Sequence, residues 1–175
     1  MIKDLLDVNL IKAGAQLPVS TSKCQLIDLV SRVVQSLEDL HGRPFTIVKK
    51  CSEIEGEWDA SGVQRVIENL VNNAVKYGKP ESKITINLDS DDKDALISVH
   101  NEGNPISKED ISTLFDPFKR TSSAFQGSQR GWGIGLTLVK ATVTAHGGNV
   151  KVESSQENGT LFMIRLPRHK ACTFT

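Results

Sequence analysis

Residues 60–77 superimpose two stripes on one helix-length pattern, and that double pattern constrains the fold more than any other feature of the chain. At about 3.6 residues per turn, Val63, Val66, Ile67, Leu70 and Ala74 share an apolar face. Asn69, Asn73 and Lys76 share a polar stripe roughly a quarter turn away. The apolar face requires a second layer to pack against, which leaves the amide-bearing flank at the edge of the contact. Asp59 stands as N-cap, and Gly78 with Pro80 stops the helix. An amide oxygen is a hard, neutral ligand suited to a Mg²⁺ ion that takes most of its other ligands from water and phosphate. A lysine beside it can neutralise phosphate charge. Read alone, the stripe is equally a solvated helix face on which asparagine recurs.

The remaining pattern supplies the other layer. Residues 1–12 have helical spacing and break at Gly14 and Pro18, as the last turns of a helix would. Leu26 to Leu40 is an amphipathic helix ended by Gly42 and Pro44. A strand is expected from Phe45 to Lys50. Ile84, Ile86 and Leu88 alternate with polar residues, and Ala95 to Val99 forms the second arm of a hairpin. Residues 121–130 are rich in Ser, Gln and Gly, with little to bury. A helix from Ile134 to His146 precedes strands over 149–153 and 161–166. Because helices and strands mix without strict βαβ alternation, the class is α+β, a layered sandwich.

At 175 residues the chain suits one domain. Lys plus Arg equals Asp plus Glu at 21 each, so no bulk field recruits nucleic acid or an anionic membrane, and anion binding must be local. Cys24, Cys51 and Cys172 have no metal or redox spacing and read as reduced thiols in a cytoplasmic setting. No apolar run approaches the ~18 residues of a membrane span, so no direct membrane contact is expected, although a longer parent protein could be membrane-bound.

Gly131-Trp132-Gly133-Ile134-Gly135-Leu136 opens directly onto Thr137 and the following helix, placing backbone N–H groups and a positive helix end where an anion can approach. A dinucleotide fingerprint is set aside because polar, irregular sequence precedes these glycines where a buried strand is required. A P-loop is also absent. Upstream, His100-Asn101-Glu102-Gly103-Asn104-Pro105-Ile106 ends a strand on a polar side chain and a glycine turn, and Phe115-Asp116-Pro117-Phe118-Lys119-Arg120 follows.

This ordered set resembles the catalytic ATP-binding domain of sensor histidine kinases, within the superfamily that includes DNA gyrase and mismatch-repair ATPases. Asn69 to Tyr77 resembles its N box, Asn101 to Ile106 its G1 box, Phe115 to Arg120 its F box, and Gly131 to Leu136 its G2 box. The resemblance implies a Bergerat fold, a two-layer sandwich of a mixed five-stranded sheet covered on one face by three helices. It places the end of a dimerisation helix and a linker at residues 1–18, the ATP-binding domain at 19–168 and a tail at 169–175.

By the same resemblance, Asn69, Asn73 and Lys76 carry catalysis, with Asn73 on Mg²⁺, Asn69 nearby and Lys76 on phosphate. Tyr77 lies against the nucleotide, as do Gly103 and Ile106. Phe115 anchors a lid, Arg120 reaches the phosphates, and Gly131, Gly133, Gly135, Leu136 and Thr137 form hinge and phosphate cradle. The sequence departs from the family at two positions. Asn101 stands where an aspartate usually accepts from the adenine amino group, and an amide lacks the charge that strengthens such a bond. It is also expected to relax base choice, since an amide can rotate to donate to guanine. Pro105 replaces a second glycine and fixes a turn.

None of the four histidines lies in the acidic-Arg-Pro setting of a phosphoacceptor helix. His41 and His146 read as helix-end caps. The resemblance therefore implies that the acceptor histidine belongs to a dimerisation domain outside this chain, that the parent kinase is a homodimer, and that a response regulator is a further partner. In gyrase-type relatives a glutamate general base occupies the position of Asn69; an amide cannot take a proton, so hydrolysis should be poor. The alternatives are a nucleotide-binding or degenerate docking module without kinase activity, which Asn101 and Pro105 favour, and a serine kinase that restrains a sigma factor.

Overall fold

The computed structural model describes residues 2–118 and 133–169. Helix α1 (Ile2–Lys12) leads into strand β1 (Ser22–Gln25), α2 (Leu26–His41), β2 (Thr46–Lys49), β3 (Glu55–Trp58) and α3 (Ala60–Tyr77). Then come β4 (Ile84–Ser90), β5 (Asp94–Asn101), α4 (Lys108–Thr113), α5 (Gly135–Ala145), β6 (Asn149–Ser155) and β7 (Gly159–Pro167). The main sheet has five strands in the order β2-β4-β5-β7-β6, and it is mixed because β2 runs parallel to β4 while every other pair is antiparallel. This is the α+β sandwich expected from the sequence.

Alternation places Ile84, Ile86, Leu88, Ala95, Ile97, Val99, Phe162, Ile164 and Leu166 on one face, all buried under α2, α3 and α5. Thr85, Asn87, Ser98, His100 and Met163 point to the opposite, partly exposed face. Within the helical layer α3 is central, packing on both α2 and α5 as well as on β4 and β5. Its buried residues Val63, Val66, Ile67, Leu70 and Ala74 are those of the predicted apolar stripe, joined by Gly62 and Val71.

Strands β1 and β3 were not anticipated. They form a two-stranded antiparallel ribbon, each only four residues long. Trp58 anchors it: the indole is fully buried, and its Nε1–H donates to the Pro167 carbonyl at 2.8 Å. Gly56 is required beneath it, since a Cβ there would stand 2.3 Å from the ring.

The ends of α3 are tied to the rest by hydrogen bonds. Asp59 accepts from the Ser61 and Gly62 N–H groups at 3.1 Å each, and from the Ser61 hydroxyl at 2.7 Å. Its own N–H donates to His146 Nε2 at 3.0 Å, while His146 Nδ1 lies 2.7 Å from the Thr142 carbonyl. A carbonyl only accepts and a backbone N–H only donates, so the partners assign the ring proton to Nδ1. His41 Nε2 is 2.7 Å from Asn72 Oδ1, and His100 Nε2 is 2.7 Å from the Asn158 carbonyl. His146 thus caps a carbonyl of its own helix end as expected, whereas His41 bridges from the end of α2 to the Asn72 side chain on α3.

Burial pushes the Asp59 carboxyl up, but the hydrogen bonds from Ser61 and Gly62 prevail and hold it below its ordinary 3.8. A lowered folded value gives stability that is complete above the ordinary carboxylate range and is lost as pH falls through the depressed value. Asp59→Ala should cost about 1 kcal/mol in urea unfolding at neutral pH, and its gap from the parent should narrow below pH 3.8. A gap that stays constant down to pH 2.5 would show that the charge contributes nothing to the cap.

Candidate functional site

Asn69 is held by a bond from its Nδ2 to the Arg65 carbonyl at 2.8 Å, which commits its Oδ1 to the other side. That oxygen faces Gly135: a Cβ on Gly135 would come within 2.6 Å of it. The structure therefore brings the first amide of α3 against the first residue of α5, two motifs more than sixty positions apart in sequence. Asn73 and Lys76 follow along the same half-buried flank. Lys76 Nζ stands 4.9 Å from the centre of the Tyr77 ring, which is 39% exposed. Glu68, the nearest carboxylate on the helix, accepts from Gln64 Nε2 at 2.7 Å and so is engaged away from this flank.

The start of α5 is open in the sense that matters for an anion. Ile134 at its N-cap contributes no side-chain hydrogen bond, so its side chain leaves the first N–H groups uncapped. Thr137, in the first turn, is buried, and its Oγ1 has no hydrogen-bond partner among the described residues. An uncapped helix N-terminus with an orphaned buried hydroxyl beside an amide oxygen fits a phosphate and the cation that accompanies it.

At the far end of the flank, Gly103 packs on the exit of α3: a Cβ there would lie 2.8 Å from the Tyr77 carbonyl. The Glu102 carbonyl accepts from the Lys79 N–H at 2.7 Å and from Asn101 Nδ2 at 3.1 Å. Asn101 is buried, and this bond directs its NH2 into the protein and leaves Oδ1 as the group on offer. The sequence reading allowed either orientation; the geometry favours the acceptor. Ile106 donates its N–H to Ser154 Oγ at 3.0 Å.

Phe115 is half-buried, with Lys140 Nζ 5.8 Å from its ring centre, and Phe118 is exposed beneath Lys12 Nζ at 4.3 Å. The Phe118 N–H donates to the Gly133 carbonyl at 3.0 Å, so the chain leaves and re-enters the described fold at one point. Arg120 and Gly131 lie outside the described residues, as do Trp132 and Cys172. Leader helix α1 reaches the same region through Arg65, which pairs with Asp7 at 2.8 Å and Asp4 at 2.5 Å.

A hollow of about 1090 Å³ touches Tyr77, Gly103 and Ser154, but it is also walled by His100, Glu153 and Leu161 from the open face of the sheet. It curves round the rim and includes neither Asn73 nor Gly135. The candidate site is placed instead on the helix-covered side, where Asn69 Oδ1 faces the first residue of α5 and Thr137 stands in the first turn of that helix. Thr160 and Ser154 were missed by sequence reasoning. Their signal was a polar residue at an inward position of each strand, visible only once the register is known.

Similarity to known proteins bears on the family and the fold. The family described as histidine kinase-, DNA gyrase B-, and HSP90-like ATPase matches residues 58–170. The sensor protein SrrB of Staphylococcus aureus is 30% identical over 118 residues, covering 67% of this chain and 20% of the relative, so the chain spans about a fifth of the length of the curated relatives it matches. Among solved structures, the catalytic domain of histidine kinase ThkA superposes with a TM-score of 0.73 at 25% identity, covering 86% of this chain and 99% of that one. Histidine kinase ThkA in complex with response regulator protein TrrA gives 0.73 at 22% identity over 94% of this chain and 47% of that one. With its mixed five-stranded sheet and the whole run from Trp58 through β7 inside the matched region, this chain belongs to the histidine kinase-, DNA gyrase B- and HSP90-like ATPase family and has the fold of histidine kinase catalytic domains.

Proposed function

We propose that this chain is the ATP-binding catalytic domain of a two-component sensor histidine kinase, transferring the γ-phosphoryl of ATP to a histidine on a dimerisation domain outside residues 1–175. The observation that carries this reading is the meeting of Asn69 Oδ1 with Gly135 at the start of α5, whose first turn holds the buried Thr137 hydroxyl, unpartnered among the described residues. The N–H groups of Gly135, Leu136 and Thr137 hold the phosphates, with Gly133 and Gly131 preceding them. Asn73, assisted by Asn69, would hold Mg²⁺, which neutralises phosphate charge. Lys76 and Arg120 contact phosphate, and Tyr77, Gly103, Ile106 and Phe115 enclose the nucleotide. Asn101 Oδ1 accepts from the adenine amino group. Catalysis on these terms is positioning and charge neutralisation.

Asn69 decides between transfer and hydrolysis. Its amide cannot take a proton, its Nδ2 is committed to Arg65, and Glu68 is occupied by Gln64. Neither residue therefore serves as a base to activate water, and the phosphoryl group is kept for an acceptor histidine. Residues 1–18 act as the end of a dimerisation helix with its linker, residues 19–168 as the domain proper and 169–175 as a tail. The Arg65 pairing with Asp4 and Asp7 supports the docking of that helix. A homodimeric parent, a response regulator as partner and a cytoplasmic location follow from the same reading. No helix among the described residues is long and apolar enough to cross a membrane. The two departures from the family pattern, Asn101 and Pro105, favour the alternative of a docking module without kinase activity.

Asn73→Ala should weaken Mg²⁺-dependent ATP binding more than tenfold, a loss of at least ~1.4 kcal/mol, in calorimetry. Equal affinity in the variant would remove Asn73 from the metal site. The chain alone should neither label itself from γ-labelled ATP nor turn ATP over usefully, whereas adding the dimerisation domain of the same kinase should produce acid-labile label on that domain. Phosphohistidine mapped to His41, His100, His146 or His169 of the isolated chain would contradict the proposal.

A further inference from the structure

The helix-covered face of the sheet is apolar row by row until its last row. In register, Ile97, Ile164 and Val150 stand side by side, then Val99, Phe162 and Val152, and then Asn101, Thr160 and Ser154. Asn101 and Thr160 are 4% and 5% exposed. Polar groups this well buried must find hydrogen-bond partners, within the row or at its borders. Ser154 Oγ lies 2.8 Å from Thr160 Oγ1 and accepts from the Ile106 N–H at 3.0 Å. On the other side of the row, Asn101 is fixed by the Glu102 carbonyl, which also holds Lys79.

We propose that Ser154 is a positioning residue for recognition of the purine base: its single hydroxyl anchors the loop that follows Asn101 and sets the Thr160 hydroxyl beside the Asn101 amide oxygen. The inference rests on the nucleotide-binding reading given above. A serine hydroxyl offers one donor and two acceptor sites. Ile106 takes one acceptor site, and the contact with Thr160 takes either the hydrogen or the second acceptor site. When Ser154 donates, the hydrogen of Thr160 is free to serve a ligand, so the row shows an acceptor on Asn101 next to a donor on Thr160. A 6-aminopurine presents the matching pair, an amino donor next to a ring-nitrogen acceptor, and a 6-oxopurine presents the reverse. Removing the Ser154 hydroxyl costs two bonds at once, leaving the Ile106 N–H without its partner and the Thr160 hydroxyl free to rotate.

The test measures ATP and inosine triphosphate affinities, with Mg²⁺, by competition against a fluorescent ATP analogue for the parent chain, Ser154→Ala, Ser154→Thr and Thr160→Val. Ser154→Ala should lower ATP affinity about tenfold and narrow the preference for ATP over inosine triphosphate at least threefold. Ser154→Thr, which keeps the hydroxyl on a strand-favouring side chain, should bring both back to within twofold of the parent. Thr160→Val should reproduce the Ser154→Ala loss, and the double variant should add little to either. ATP affinity in Ser154→Ala within twofold of the parent would overturn the proposal. So would a loss shared equally by both nucleotides, failure of Ser154→Thr to restore them, or fully additive losses in the double variant. Absence of ATP binding by the parent chain would instead remove the functional reading itself.

Discussion

Everything at the candidate site depends on which face of α3 is buried. Val63, Val66, Ile67 and Leu70 are almost wholly excluded from solvent between α2, α5 and the sheet, and burying that many branched side chains fixes the rotation of the helix about its axis. Asn69, Asn73 and Lys76 have no freedom of their own to choose a direction; they stand where the packing leaves them. Turning α3 by one residue, about 100°, would carry the amides into the core and bring apolar atoms to the start of α5. The same packing that stabilises the fold therefore sets the direction of the polar flank, and the Asn69–Arg65 bond then fixes the amide on it.

At the other end of α3 the constraint changes from packing to hydrogen-bond polarity. Gly103 allows the turn after β5 to approach the exit of α3 so closely that a Cβ there would overlap the Tyr77 carbonyl, while a Cβ on Gly78 would overlap the Ala74 carbonyl of the helix's own last turn. That approach brings the Lys79 N–H and the Asn101 amide to one carbonyl, that of Glu102. A neutral asparagine is ambiguous in isolation, since it can accept or donate through either end. Bonded on one side, it becomes directional, which is how an amide can stand at a position that the family usually gives to a carboxylate.

The long periodic elements were legible from sequence because their pattern and their burial are the same thing. Helix α3 spans Ala60 to Tyr77 as its apolar spacing required, and the β4–β5 hairpin follows the alternation of Ile84, Ile86 and Leu88. The ribbon of β1 and β3 was not legible. Its strands are too short to show a period, and what holds them is Trp58 seated over Gly56, a contact that only the tertiary fold creates. The motifs drew attention to Asn69 and Asn101, which bond to carbonyls four and one residues away, and to Gly135, whose approach to Asn69 only the packing of α3 on α5 creates. Ser154 and Thr160 stayed hidden for a different reason: a polar residue inside a strand looks solvent-facing until the register puts it beneath a helix. Cross-strand neighbours are absent from the linear pattern, and the row that contains these two residues exists only across three strands.

Phe118 and Gly133 meet in one backbone hydrogen bond, each with φ in the left-handed region, at 62° and 68°. That bond works as a clasp between two stretches of the described fold: it ties the residues that follow α4 to those that open α5, so the approach of the two is set by a single contact.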